Sequence, residues 1–142
     1  FADRGVCSVL PWGSAAERGR SERLVAQIPG AIVPPALRLE EAATLLAGAH
    51  AVAGLDTGLT HLAAALNVPT VGIYCATDPR ATGIYGCPRA VNLGDIGRPP
   101  AVREVTVALE QLLASSRDIP SPLNDQLSAR SRDIPSPLMG EG

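Results

Sequence analysis

The chain has 142 residues, a length that favours a single domain, and hydrophobic residues make up 46% of it against 18% charged residues. A net charge of −2 with no lysine argues against nucleic-acid binding, which needs clustered basic side chains. No apolar run approaches the roughly 20 residues that a membrane-spanning helix needs.

The three cysteines, Cys7, Cys75 and Cys87, are an odd number at wide spacings. Such spacings fit neither a disulfide framework nor a zinc cluster. We therefore expect buried or idle thiols in a reducing compartment, and we expect neither a metal nor a cofactor.

The first predicted elements alternate between short apolar strands and helices. An apolar strand at 6–10 ends in Pro11-Trp12-Gly13, and Ser14 is placed to cap a helix from residue 15 to about 27. A brief strand at 31–33 follows, and then a helix at 39–47.

The rest of the chain continues the alternation. The predicted strands lie at 51–55, at 70–74 and from Val91, and the helices at 59–66 and 102–113, with a loop at 75–88. Because the strands are apolar throughout, they indicate an α/β, Rossmann-like parallel sheet with helices on both faces. Ligands of such folds bind beyond the carboxyl ends of the strands, which points to the loops 11–17, 34–39, 56–61 and 75–86.

The end of the chain carries a repeat. The segment SRDIPSPL occurs at 116–123 and again at 131–138. Two copies are too few for a solenoid, which needs at least three packed units. We therefore predict one domain over 1–114 and a disordered tail over 115–142, and a peptide ligand for a partner is the alternative for the tail.

The strongest candidate site is the turn at 56–61. A strand ends before Asp56, the chain turns at Gly58, and the amides that open the next helix can bind an anion such as a diphosphate. Thr57 and His61 add donors, and Asp56 is an acceptor for sugar hydroxyls. The alternative is that Asp56 or Thr57 only caps the helix, and spacing alone favours that alternative.

Two further loops carry weaker candidates. Glu17 can accept two hydrogen bonds from a ribose diol, although a glutamate in the first turn of a helix often serves only the helix dipole. The backbone of Leu37 can face an adenine edge, or Leu37 is an ordinary loop residue. The loop at 75–86 suits a mobile flap over a ligand or a passive crossover.

Three stretches together resemble the ADP-heptose:lipopolysaccharide heptosyltransferases of glycosyltransferase family 9. They are LPWGSAAE at 10–17, LAGAHAVAGLDTGLTHLAAALNVPTVGIYCATDP at 46–79 and TGIYG at 82–86. The resemblance covers about residues 6–113 and is nearer to the heptosyltransferase I branch than to the heptosyltransferase II branch. It implies a GT-B architecture, of which this chain is the C-terminal, nucleotide-sugar-binding half.

The resemblance also implies a reaction and a place for it. The reaction is inverting, metal-independent transfer of L-glycero-D-manno-heptose from ADP-heptose to the Kdo of the lipopolysaccharide inner core. It implies Kdo2-lipid A as the acceptor and a cytoplasmic location at the inner membrane, with peripheral membrane contact through the other domain. Six residues are implied to contact the donor: Asp56 the heptose; Thr57, Gly58 and His61 the diphosphate; Glu17 the ribose; Leu37 the adenine.

The chain departs from the family in what it lacks. The catalytic aspartate of the family lies on the N-terminal domain, and a phosphate-binding lysine precedes the segment that matches Phe1. We expect an N-terminally truncated chain that binds ADP weakly and does not catalyse transfer alone. The alternatives are a non-catalytic nucleotide-binding module, a heptosyltransferase II-like enzyme, or a His61–Asp56 hydrolytic pair, which needs a nearby Ser or Cys. A dinucleotide-binding domain is disfavoured because GxGxxG is absent.

Overall fold

The computed structural model describes residues 2–116. A single 3₁₀ turn at Ala2–Arg4 opens this part of the chain. The elements that follow are α1 (Ala15–Val25), α2 (Leu39–Ala47), β1 (Val52–Leu55), α3 (Gly58–Ala65), β2 (Thr70–Tyr74), α4 (Pro79–Thr82), β3 (Ala90–Gly94) and α5 (Val102–Ser116).

The three strands form one parallel sheet in the order β1-β2-β3. The central strand β2 contacts both α3 and α5, and Val71 and Tyr74 within it are fully buried. A second part of the core joins Leu46 of α2 to Ala63 of α3 and to Val68. The predicted α/β class with a parallel sheet is confirmed, and all three strands end at one edge.

The predicted strands at 6–10 and 31–33 are wrong in extent. They reduce to a single parallel bridge between Val9 and Ile32, with the Leu10 amide donating to the Ile32 carbonyl at 3.0 Å. Pro11 and Pro34 follow the two segments and have no N–H to extend a ladder. Ile32 is 52% exposed, so little packing supports a longer pairing.

Helix boundaries agree with the predictions except in two places. Helix α1 ends at Val25 rather than near residue 27, and α5 continues to Ser116 rather than ending at 113. Within the predicted loop at 75–88 the structure has the short helix α4. Asp78 caps it by accepting from the Arg80 amide at 2.9 Å, and proline occupies its first position, where no N–H is needed.

Of the two alternatives for the cysteines, buried or idle, burial is wrong, and an idle role stays a prediction. Cys7 and Cys75 are exposed, Cys87 is partly exposed, and all three are free thiols. Cys75 is exposed because it directly follows β2, where the chain leaves the covered part of the sheet.

Two predictions concern the ends of the chain and its relation to membranes. The predicted disordered tail begins at residue 115, but residues 115 and 116 belong to α5. From residue 117 onward the tail lies outside the described residues, so its disorder and the role of its repeat stay predictions. Across the described residues no helix combines the length and the apolar character needed to cross a bilayer.

Candidate functional site

The turn between β1 and α3 is built around threonine hydroxyls. Thr57 is the residue that precedes the helix, in an extended conformation, but its side chain makes no capping hydrogen bond. The Thr60 hydroxyl instead donates to the Leu55 carbonyl at 2.6 Å, which fixes the helix start against the strand end. The side chain of Asp56 also makes other bonds, so the interpretation of this turn as a simple side-chain cap is wrong.

Two of the four amides that open α3 have no hydrogen-bond partner in the described residues. The amides of Thr60 and His61 donate to the Thr57 carbonyl at 3.1 and 3.2 Å, whereas those of Gly58 and Leu59 have no acceptor within residues 2–116. Gly58 is exposed, and a Cβ added there would meet no heavy atom within 4 Å. Two unpaired amides at a helix N-terminus with open space before them can bind an anion.

The carboxylate of Asp56 binds three donors from the protein itself. Its Oδ1 lies 2.9 Å from His61 Nε2, and its Oδ2 accepts from the hydroxyls of Thr77 and Thr82, each at 2.7 Å. The His61 contact, followed by the two threonine hydroxyls, lowers the pKa of Asp56 from 3.8 to about 2. The predicted acceptor for sugar hydroxyls is thus already a shared acceptor for protein donors.

The far end of the 75–86 loop is attached to the sheet. The Ile84 amide donates to Asn92 Oδ1 at 3.0 Å and lies 3.1 Å from the Tyr74 hydroxyl, and Asn92 Nδ2 donates back to the Ile84 carbonyl at 3.0 Å. Burial raises the pKa of Tyr74, so its hydroxyl stays protonated at neutral pH. The loop therefore bonds to Asp56 through Thr77 and Thr82 and to β3 through Ile84.

A cavity of about 360 Å³ opens beside the turn. Its walls are the His61 face of α3 and residues 84–88, and Tyr85 at its rim is fully exposed. The cavity places open volume next to the only histidine among the predicted site residues.

Glu17 has a local role in the structure. Its Oε2 accepts from the Gly13 amide at 2.9 Å and from the Ser14 hydroxyl at 3.1 Å. The Gly13 amide, followed by the Ser14 hydroxyl, lowers the pKa of Glu17. Its Oε1 has no partner within the described part of the chain, so one carboxylate oxygen is left for a ligand.

Leu37 lies half-buried in the extended segment before α2. That segment is joined to the loop before α1, the helix that carries Glu17 in its first turn, because Trp12 Nε1 donates to the Pro34 carbonyl at 2.9 Å. The guanidinium of Arg18 lies 5.3 Å from the centre of the Trp12 ring and covers one of its faces.

The structure brings the predicted residues together in two groups. Asp56, Thr57, Gly58 and His61 share the β1–α3 turn, while Glu17 and Leu37 lie on the pair of loops joined by the Trp12–Pro34 bond; no hydrogen bond within residues 2–116 connects the groups. Across the same residues no three His, Cys, Asp or Glu side chains are placed to hold a metal ion.

Sequence reasoning missed Thr77 and Thr82 as site residues. It noted two threonines in the 75–86 loop but assigned neither a contact. The available signal was their place after β2, at the edge where β1 also delivers Asp56.

The sequence profile of glycosyltransferase family 9 (heptosyltransferase) matches residues 1–111. The chain belongs to this family. It is similar to lipopolysaccharide heptosyltransferase 1 of Pseudomonas aeruginosa, with 54% identity over 86 residues, which are 61% of this chain and 24% of that protein. With the protein of the same name from Escherichia coli K12 the identity is 45% over 86 residues, 61% of this chain and 27% of the other.

Solved structures of this family share the fold. The structure of E. coli heptosyltransferase WaaC with ADP has a TM-score of 0.72 at 36% identity, over 78% of this chain and 35% of that one. The WaaC structure with ADP-2-deoxy-2-fluoro heptose has a TM-score of 0.64 at 35% identity, over 81% and 34%. The chain thus spans about a quarter of the length of the curated relatives and about a third of the WaaC chain, a GT-B glycosyltransferase.

Proposed function

We propose that this chain forms the donor-binding part of a heptosyltransferase of the heptosyltransferase I type. The reaction it serves is transfer of L-glycero-D-manno-heptose from ADP-heptose to the Kdo of the lipopolysaccharide inner core. Family membership supports the reaction class, and the relatives named heptosyltransferase 1 support the branch. That WaaC is solved with ADP and with an ADP-heptose analogue supports the donor.

The observation that carries the proposal is the open start of α3. The Gly58 and Leu59 amides are unpaired in the described residues, and a Cβ added at Gly58 would meet no heavy atom within 4 Å. A diphosphate in this space would accept both amides and gain from the positive end of the helix dipole. Developing charge on a leaving ADP would be stabilised in the same way, without a metal ion.

Each predicted residue has a proposed role in this arrangement. Thr57 and Gly58 would contact the diphosphate, His61 would add a donor beside it, and Asp56 would lie next to the heptose. On the second pair of loops, Glu17 would offer Oε1 to the ribose, and Leu37 would lie against the adenine.

The proposal leaves several functions to parts of the enzyme other than these residues. No residue of this chain is assigned as the catalytic base, and the inverting mechanism is carried over from the family resemblance. Kdo2-lipid A as acceptor, the cytoplasmic face of the inner membrane and peripheral membrane contact belong to the same proposal.

The test uses glycine substitutions and calorimetric titration with ADP, GDP and UDP. Gly58→Ala places a methyl group in space that is empty in the protein, so it leaves the fold intact and blocks close approach of a phosphate. We expect ADP to bind in preference to GDP and UDP, and Gly58→Ala to weaken ADP binding about tenfold, or about 1.4 kcal/mol. Gly48→Ala is the matched control, since its Cβ would meet only ordinary contacts at 3.7 Å. Equal affinity for the three nucleotides would refute the adenine assignment.

A non-catalytic nucleotide-binding module is the second candidate. The observation in its favour is that three protein donors already occupy the Asp56 carboxylate, which leaves it less free to bind a sugar. Comparison of ADP with ADP-heptose separates the two candidates. A donor site binds ADP-heptose more tightly than ADP, and a nucleotide module binds both equally.

A further inference from the structure

The Asp56 carboxylate joins three different segments of the chain. His61 lies on α3, Thr77 on the loop after β2, and Thr82 at the end of α4. The two threonine hydroxyls donate to the same oxygen, Oδ2, from 21 and 26 residues further along the chain.

These contacts leave the carboxylate little freedom. A carboxylate oxygen has about two acceptor positions, so Oδ2 is fully used by the two hydroxyls. Hydrogen bonds to an ionised acceptor are also the stronger kind. The Asp56 side chain is only 18% exposed. Turning its carboxylate out of the present plane would disrupt all three hydrogen bonds.

The fixed carboxylate in turn fixes the imidazole of His61. An ionised carboxylate can only accept, so His61 Nε2 must carry the proton of the 2.9 Å contact. The other ring nitrogen, Nδ1, is then the atom left to interact with a ligand: it accepts in the neutral ring, and it donates to a diphosphate when both ring nitrogens are protonated. A carboxylate that sets the tautomer and orientation of an imidazole is a recurrent device in enzyme sites.

The three hydrogen bonds to Asp56 also affect how strongly its negative charge would act on a bound diphosphate. Asp56 lies two residues before Gly58, and an unscreened carboxylate there would repel a bound diphosphate. The donors from His61, on α3, and from Thr77 and Thr82, on the 75–86 loop, offset part of this negative charge.

We propose that Thr77 and Thr82 are positioning residues, which hold the Asp56 carboxylate, and through it the His61 imidazole, in one orientation beside the diphosphate site. This inference rests on the proposed function. In this role the threonines act through Asp56, and the Asp56 contact is the shorter of the two that the Thr82 hydroxyl makes, at 2.7 Å against 3.2 Å to the Asp78 carbonyl.

The test replaces both hydroxyls in the 142-residue chain. Thr77→Val/Thr82→Val keeps the side-chain shape and removes both donors, and Thr77→Ser/Thr82→Ser keeps both donors. Thr44→Val is the matched control, because Thr44 is exposed and its hydroxyl donates only to the Glu40 carbonyl one turn earlier in α2. Nitrogen-15 spectra of the His61 ring report the tautomer, and calorimetry reports ADP affinity.

We expect the double valine variant to replace the purely Nε2-protonated ring signal with an averaged signal of both tautomers, and to bind ADP about tenfold more weakly. The double serine variant and the Thr44→Val control should match the parent in both measurements. An unchanged ring signal and unchanged ADP affinity in the double valine variant would overturn the inference.

The ring signal separates the two proposals. If the parent chain binds no ADP, the proposed donor site fails, and the ring spectra still decide whether the threonines position His61. If the double valine variant loses its cooperative thermal transition, the single variants Thr77→Val and Thr82→Val are compared by the same spectra. An averaged signal of both tautomers in either variant supports the inference, and the purely Nε2-protonated signal in both overturns it.

Discussion

The two halves of the described chain handle the same kind of apolar strand differently. From 52 to 94 three strands pair in register, and the central one, β2, is covered by α3 and α5. From 6 to 33 two apolar segments meet at one bridge, between Val9 and Ile32. The difference shows that an apolar run becomes a stable strand only when neighbours pair it on its edges and helices cover its faces.

The largest effect on stability is expected from alanine substitution of a positive-φ glycine in each half of the chain. Gly94, at φ 90°, ends β3, and a Cβ there would run into the Tyr74 carbonyl. Gly94→Ala combines a left-handed backbone cost with a steric clash, and we expect it to destabilise the fold by about 3 kcal/mol. The matched Gly5→Ala, at φ 72° with nothing within 4 Å, should cost about 1 kcal/mol. Similar urea-unfolding midpoints for the two variants would contradict the comparison.

A smaller effect on stability is expected when a valine in each half is replaced by alanine. Val71 in β2 is fully buried, whereas Val9 at the bridge is only half-buried. Val71→Ala removes two packed methyl groups and leaves a cavity, so we expect a loss of about 2 kcal/mol in the free energy of unfolding. Val9→Ala should cost less than about 1 kcal/mol. If chemical denaturation gives equal losses, the N-terminal half is as well packed as the sheet.

The smallest expected effect is on the free energy of unfolding in acid, and it is confined to a narrow range of pH. The pKa of Asp56 is lowered to about 2, chiefly by its bond to His61, so its stabilising contribution is complete above pH 3.8 and is lost as the pH falls through about 2. Asp56→Asn should therefore flatten the rise of unfolding free energy with pH between about 2 and 4. Glu17→Gln should flatten it in a window just below pH 4.5, since the Gly13 amide lowers the pKa of Glu17. Parallel stability curves for the parent and Asp56→Asn would count against the three-donor arrangement.

The sequence predicted best where local signals are dense. Helix α2 and strand β2 lie at the predicted bounds, because apolar spacing followed by Gly48 defines the one, and a continuous apolar run after Pro69 defines the other. The four-residue helix α4 was not predicted, because its only sequence signal is the Asp78-Pro79 cap.

The site was predicted in part for a related reason. The turn at Asp56 and Gly58 follows from a strand end and a glycine, both visible in one stretch of sequence. Which hydroxyls reach the Asp56 carboxylate depends on how β1 and β2 pair across the sheet, and Thr77 and Thr82 are distant from Asp56 in sequence. No local pattern encodes that convergence.

The single tryptophan gives the N-terminal half its own spectroscopic probe. Trp12 bonds to the Pro34 carbonyl and lies under the Arg18 guanidinium, and no other indole exists in the chain. Its fluorescence emission therefore follows the joint between these two loops alone, while circular dichroism is dominated by the helices around the sheet. On heating, coincident fluorescence and dichroism curves would mean that the two halves melt as one cooperative unit, and an earlier emission change would mean that the loop joint opens first.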